Sequence, residues 1–375
     1  MLSPPTTASA MPAATPTDKL RVLVVDDSLL YRKIVRDALA ALPNVEVVGS
    51  ASNGRMAIEK IEQLSPDLVT LDFEMPELDG PGVLRWLRQS KRPTRAVMLS
   101  AFTSEGADAT VLALQEGAFD FVVKPSGGSP HDNQLLLQTA LAARVQAVQD
   151  WRAARQPRRV AVPPPSVGLP PATRVLPGTQ RIGVVAIGVS TGGPDALRAM
   201  LPRLPADLAA PVVIVQHMPP VFTKSLADSL NKLCPLHVAE AVDGQLVAPG
   251  EVVIAPGGRQ MKVRRTESGQ VQIELTNDPP VQSCRPSVDY LFFSLADSFG
   301  SQTLSVIMTG MGYDGAEGCR RLHALGGPVI AQNEATCVVF GMPRKPVEEG
   351  VADIVAPLSS IADDIVRYTG RRTRP

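Results

Sequence analysis

Short apolar, β-branched runs recur along the chain, separated by longer stretches whose apolar positions repeat at helical spacing. In the first half the runs are Arg21 to Val25, Val45 to Ser50, Leu68 to Leu71, Arg95 to Leu99 and Phe119 to Val123. Five strands alternating with helices predict a doubly wound, five-stranded parallel sheet with right-handed crossovers. The second half repeats the alternation at Ile182 to Ile187, Pro211 to Gln216, Thr303 to Met308 and Pro328 to Ala331. Between about Val247 and Thr276 the pattern becomes short alternating segments broken by Pro-Gly, Gly-Gly and Ser-Gly, which reads as antiparallel hairpins. The expected fold class is therefore α/β throughout: a doubly wound first domain, then a three-layer parallel-sheet domain with a β-hairpin insertion.

Two segments lack this patterning. Residues 1–17 are mostly Pro, Ala, Ser and Thr and offer little to bury, so a disordered tail is expected there. The stretch RRVAVPPPSVGLPPATRVLPG marks a Pro-rich, semi-extended linker. The predicted boundaries are 1–17 for the tail, 18–145 for the first domain, 146–180 for the linker and 181–370 for the second domain.

Charge narrows the choice of partner. Lys plus Arg and Asp plus Glu both number 37, so no net basic field draws the chain onto nucleic acid or anionic lipid. The four cysteines, Cys234, Cys284, Cys319 and Cys337, have neither CxxC nor zinc-type spacing. A reduced setting fits them better than a disulfide framework. The N-terminus lacks the charged and apolar regions of a signal peptide, and no apolar run approaches a membrane span. The expectation is a cytoplasmic protein with no direct membrane insertion and no nucleic-acid partner.

Ligands of open parallel sheets bind beyond the carboxyl ends of the strands. In the first half those ends carry Asp26 and Asp27, then Asp72, Ser100 and Lys124. Three carboxylates on one rim repel one another unless a cation joins them, and oxygen ligands suit Mg²⁺. A metal-held carboxylate beside a lysine is a plausible phosphoryl acceptor. Any one of these residues reads equally well as a solvated turn residue; five at successive strand ends do not. The segments VLVVDDS, LDFEMPELDG, MLSAF and FDFVVKP resemble a two-component receiver domain, which has a flavodoxin-like fold. That resemblance implies phosphorylation of Asp72 and Mg²⁺ held by Asp26, Asp27, Asp72 and the Glu74 main-chain carbonyl. It also implies that Ser100 and Lys124 support the phosphoryl group. Phe121 stands at the aromatic switch position of that family; ordinary strand packing explains it equally well.

In the second half, Gly188-Val-Ser190-Thr-Gly192 follows a buried strand and matches the G-x-S-x-G pattern of a nucleophile elbow. Gly-rich turns of this kind also cradle phosphates, but GVSTGG lacks the G-K-[ST] of a Walker loop. A serine nucleophile needs a base, and His217 directly follows the strand VVIVQ, whereas His323 lies within a helical stretch and His237 begins a strand. The base needs an orienting carboxylate, and Asp314 follows the strand LSVIMTG. Asp195, Asp228 and Asp297 fall on helix surfaces, Asp243 lies in a turn, and Asp289 suits a helix N-terminus. The order Ser190, His217, Asp314 is not that of α/β-hydrolases.

The segments IGVSTGGPDAL, VVIVQHMPPVFTKSLADSLN, CRPSVDYLFFSLA, VIMTGMGYDGA and AQNEATCVVFGMPR resemble the protein-glutamate methylesterases of bacterial chemotaxis, over nearly all of residues 181–368. The resemblance implies Ser190 as nucleophile, His217 as general base and acid, and Asp314 as its orienting partner. It further implies an oxyanion hole with backbone amides near Met311 and a hydrogen bond of Thr191 within the site, and no cofactor for the ester hydrolysis. The implied substrates are glutamate methyl esters, and certain glutamines, on the cytoplasmic helices of methyl-accepting chemoreceptors. The implied phosphodonor is the chemotaxis histidine kinase, and the implied control is a receiver that covers the esterase site until phosphorylated. Cys284 and Asn333 stand where members of that family often carry His and Asp.

Overall fold

The computed structural model describes residues 19–127, 129–155 and 181–371. The expected tail at 1–17 and the Pro-rich stretch 156–180 lie outside these residues.

The first domain runs β1 (Leu20–Val25), α1 (Leu29–Ala40), β2 (Val45–Ala51), α2 (Gly54–Leu64), β3 (Leu68–Asp72), α3 (Gly80–Gln89), β4 (Arg95–Ser100), α4 (Ser104–Gln115), β5 (Asp120–Val123) and α5 (Pro130–Arg155). The sheet is parallel in the order β2-β1-β3-β4-β5. The helix starts are written locally. Ser28, Asn53, Asp79 and Thr103 each accept a hydrogen bond from the amide three residues on, which satisfies one otherwise orphaned donor per helix. One boundary differs from expectation: residues 146–155, assigned above to the linker, complete helix α5. Leu137, Leu141, Val145 and Val148 of that helix are buried against the sheet, so burial carries the helix past the expected end.

The second domain continues β6 (Val184–Val189), α6 (Gly193–Met200), β7 (Val212–Gln216), α7 (Phe222–Asn231), β8 (His237–Glu240), β9 (Leu246–Val247), β10 (Glu251–Ile254), β11 (Gln260–Arg265), β12 (Val271–Thr276), α8 (Val288–Ser298), β13 (Thr303–Ile307), α9 (Ala316–Ala324), β14 (Val329–Gln332), α10 (Arg344–Glu348), β15 (Ile354–Ala356) and α11 (Leu358–Thr369). Seven strands form a parallel sheet in the order β15-β14-β13-β6-β7-β10-β8. Side chains of β6 alternate between two cores. Val184 and Ala186 face α8 and α9, while Val185, Ile187 and Val189 face α6, α7 and α11. With both faces covered, every residue of β6 is buried, as a parallel strand requires.

The expected insertion is present as the antiparallel sheet β11-β12-β9. Within the same stretch, however, β10 is not a hairpin strand. Its apolar Val252, Val253 and Ile254 pair in parallel with β7 and β8 and extend the main sheet. The core between the sheet and α6/α7 is continuous with receiver residues Ala107, Val111, Leu114 and Phe121, so the two domains pack directly on one another.

Candidate active site

The three residues singled out in the second half follow three adjacent strands. Ser190 follows β6, His217 follows β7 and Asp314 lies beyond β13. β6 sits between β13 and β7, the place where successive connections diverge to opposite sides of the sheet and open a crevice at its carboxyl edge.

Ser190 is fixed by its backbone. Its amide donates to the Thr309 carbonyl at 3.0 Å, and its carbonyl accepts from the Gly193 amide at 2.8 Å and from Gln216 Nε2 at 3.0 Å. The turn into α6 passes through Gly192 at φ 77°, a left-handed conformation. A Cβ on Gly193 would sit 2.0 Å from Gln216 Oε1, so glycine here lets Gln216 reach under Ser190. Among the described residues the Ser190 hydroxyl makes no hydrogen bond.

His217 is oriented by Asp314: Nε2 and Oδ2 are 2.8 Å apart. That leaves Nδ1 as the nitrogen available to Ser190, and Nδ1 has Cys284 Sγ at 3.8 Å. Asp314 is 3% exposed, a costly place for a carboxylate without donors. It has four. Ser287 Oγ and the Asp289 amide donate to Oδ1, both at 2.9 Å, the Val288 amide donates to Oδ2 at 2.7 Å, and His217 supplies the fourth. The carboxylate thus caps the N-terminus of α8, where the helix dipole adds to the charge-assisted bonds. These effects separate the two groups. Burial alone would raise Asp314, but the His217 contact and the backbone amides hold it below the ordinary carboxylate range. Burial alone would depress His217, but Asp314 and Cys284 together raise it to about 9.

Ser190, His217 and Asp314 line one cavity of about 560 Å³ together with Gln282, Cys284, Met311, Tyr313 and receiver residues Asp120, Phe121 and Arg144. Met311 lines the same cavity as Ser190. Gly310 lets its loop lie tight against Ser190, since a Cβ there would meet Ser190 Cβ at 2.7 Å. Thr191 hydrogen-bonds at the cavity wall, and its partner is the receiver: its hydroxyl donates to Asp120 Oδ2 at 2.8 Å, across the domain boundary. The sequence reading also missed Gln216 and Ser287. Ser287 is legible as a helix cap before VDYLFF, but its bond to Asp314 spans 27 positions and has no local signal. Asp289 is at the expected helix start, yet it is buried and accepts from Gln282 Nε2 and the Gly318 amide, and burial pushes it up to about 6.

In the receiver, Lys124 Nζ lies 2.8 Å from Asp26 Oδ2 and 2.7 Å from Asp72 Oδ2. Burial pushes Asp72 up, with Lys124 opposing, and the two carboxylates raise Lys124 against its own desolvation. Carboxylate oxygens of Asp26, Asp27 and Asp72 lie within 4.8 Å of one another, a hard-oxygen donor set that fits Mg²⁺. Glu74 is two residues beyond Asp72 in the loop after β3. Ser100 ends β4, but its hydroxyl is held by Thr110 at 2.6 Å and the Gly106 carbonyl at 3.3 Å, toward α4 rather than Asp72. Phe121 stacks on Phe222 of α7, with ring centroids 4.7 Å apart and planes at 27°. It is therefore an interdomain contact as well as a strand residue. No helix among the described residues is long and apolar enough to cross a membrane.

Comparison with known proteins agrees with both halves. Residues 185–365 match the family model described as CheB methylesterase, and residues 22–132 match the response regulator receiver domain. The protein-glutamate methylesterase/protein-glutamine glutaminase of Desulfotalea psychrophila is 48% identical over 92% of this chain and 98% of its own. That of Symbiobacterium thermophilum is 46% identical over 94% of this chain and 97% of its own. The Thermotoga maritima CheB methylesterase catalytic domain is 44% identical, covers 49% of this chain and 97% of its own, and superposes with a TM-score of 0.48. The chain belongs to the CheB methylesterase family, with a response regulator receiver domain preceding the methylesterase domain.

Proposed function

We propose that the protein is a phosphorylation-activated protein-glutamate methylesterase, and a protein-glutamine deamidase, acting on the cytoplasmic helices of chemoreceptors. The observation that carries this reading is the convergence of Ser190, His217 and Asp314 from three adjacent strand ends on one cavity. Ser190 Oγ attacks the side-chain carbonyl of a glutamate methyl ester while His217 Nδ1 takes its proton. The oxyanion that forms faces the Met311 amide, and electrostatic stabilisation of this kind is commonly the largest single contribution to such reactions. His217 returns the proton to the departing methanol. Water, activated by the same nitrogen, then releases glutamate from Ser190. Asp314 holds the imidazole by Nε2 and stays ionised. A glutamine follows the same course with ammonia leaving.

The receiver is the control element. Asp72 is the phosphoryl acceptor, with Lys124 beside it. Mg²⁺ held by Asp26, Asp27, Asp72 and the Glu74 carbonyl would neutralise the charge of the transferring group. Ser100 reaches the phosphoryl group only if its hydroxyl turns away from the Ala101 and Gly106 carbonyls to which it donates. Covering of the site by the unphosphorylated receiver is supported by Asp120, Phe121 and Arg144, which wall the cavity. The donor is a histidine kinase of the same pathway.

The test is methanol release from a methylated chemoreceptor fragment, with and without Mg²⁺ and a small phosphodonor. Ser190→Ala should fall by roughly 10⁶-fold. Asp72→Ala should keep its basal rate and lose the phosphodonor response. No methanol from the wild type under any condition would remove the esterase reading.

A further inference from the structure

The nitrogen left to Ser190 faces a thiol. Cys284 Sγ lies 3.8 Å from His217 Nδ1, and donor atoms of His217, Cys284 and Asp314 all lie within 4.8 Å of one another. The thiol is brought there by a constrained loop. Gln282 and Ser283 adopt φ values of 48° and 62°, left-handed for two consecutive non-glycine residues. Such a conformation persists only where its surroundings over-determine it. Here Val281 and Cys284 exchange two backbone hydrogen bonds of 2.8 and 3.1 Å, and the Gln282 side chain is tied to buried Asp289 at 2.6 Å. Cys284 itself remains half-buried and lines the cavity.

This geometry matches a soft divalent cation. Tetrahedral Zn²⁺ binds thiolate sulfur at about 2.3 Å and imidazole nitrogen at about 2.0–2.1 Å, which sets the two donors about 3.5 Å apart. Asp314 on the far nitrogen completes the carboxylate–histidine arrangement that orients metal-binding imidazoles. We propose that Cys284 Sγ and His217 Nδ1 form a reversible zinc site that occupies the catalytic base and inhibits the esterase. Zinc displaces to solvent the thiol proton, and the Nδ1 proton where the imidazole carries one, and takes the lone pair that would accept the Ser190 proton. Solvent fills the remaining positions, so the site is exchangeable and inhibitory rather than structural. The inference rests on His217 being the base.

Cobalt(II) and zinc titrations of the full-length protein test it, in the absence of phosphodonor. Wild type should develop a near-ultraviolet thiolate-to-cobalt band that Cys284→Ser lacks. The oxygen-only acidic cluster of the receiver contributes no such band. Zinc should suppress both methanol release and labelling of Ser190 by a serine-directed phosphonate, reversibly with chelator. Half-inhibition in Cys284→Ser should need at least about 10–100-fold more zinc, the loss that even an outer-shell partner produces, measured against that variant's own zinc-free rate. The proposal is overturned by no band in wild type, by a band that survives Cys284→Ser, or by Ser190 labelling that ignores bound zinc. A wild type inactive without zinc would defeat the esterase reading alone, because the cobalt band still decides the cation site.

Discussion

At the scale of single residues, the site is organised by which nitrogen of His217 each neighbour holds. Asp314 takes Nε2, so Asp314→Asn should reduce kcat by about 10⁴-fold, since an amide favours the wrong tautomer, and should also lower stability, because its NH2 must face a main-chain amide that now donates to the carboxylate. Thermal denaturation of the variant reads the lost stability and checks that it is still folded at the assay temperature, so that the loss of rate is chemical. The raised His217 value of about 9 has a signed consequence. Only the neutral imidazole accepts a proton, so kcat/KM should climb with pH through that value rather than level off near neutrality. Cys284 contributes to the upward shift, so Cys284→Ala should move the rising limb to lower pH. A limb that stays in place would mean that Asp314 alone sets it. Ser190, His217 and Asp314 were legible in the sequence because each directly follows a buried apolar run or the turn after one. Cys284 was visible only as a departure from the family pattern. Its position against Nδ1 depends on two left-handed residues that no composition or period announces.

At the scale of elements, strands and helix caps were legible, but the distant partners of those caps and strands were not. β-branched runs locate β1 to β7, β13 and β14 to within about two residues, because a strand buried on both faces leaves a continuous apolar run. β10 was misread for the same local reason: four residues between turns look alike whether their partner is antiparallel and near or parallel and distant. The N-terminus of α8 is the decisive case, because local pattern hides its partner. Ser287 caps that helix through the Tyr290 amide and simultaneously donates to Asp314. Ser287→Ala should therefore do two separable things. It should cost about 0.5–2 kcal/mol of stability as a lost cap, read by denaturant unfolding. It should also lower kcat with little change in KM, because Asp314 loses a donor while the substrate-facing wall is intact. A loss of stability with unchanged kcat would make Ser287 a cap and nothing more.

At the scale of the whole molecule, the question is what holds the receiver over the esterase cavity. Receiver contacts with the second domain fall into two kinds. The polar ones include Thr191 to Asp120, Arg198 to the Gln115 carbonyl at 2.6 Å, and Ser229 to Gln115 Oε1 at 3.0 Å. The apolar ones include the stack of Phe121 on Phe222, with Phe102 tilted against the same ring at 6.3 Å, beside the packing of Ala107, Val111 and Leu114. Phe121 belongs to β5, whose end carries Lys124, and Lys124 is paired with Asp72. A change at Asp72 is thus one short strand away from the interdomain ring. An offset aromatic pair contributes about 0.5–1.5 kcal/mol beyond its buried area, and 1.4 kcal/mol is about tenfold in an equilibrium. If this stack helps to keep the receiver closed, Phe121→Ala in the full-length chain should raise the basal, unphosphorylated rate by up to about tenfold. Phosphodonor should then add proportionally less, because a ligand or modification shifts an equilibrium only by its differential free energy for the two states. The activated rate itself should not change, since Phe121 sits on the wall and touches none of Ser190, His217 or Asp314 by hydrogen bond. Methanol release with and without phosphodonor reads both quantities in one preparation. An unchanged basal rate would place the closing energy in the Asp120 and Gln115 hydrogen bonds or in the packing of Ala107, Val111 and Leu114, and the basal rate of Asp120→Asn would then separate the two.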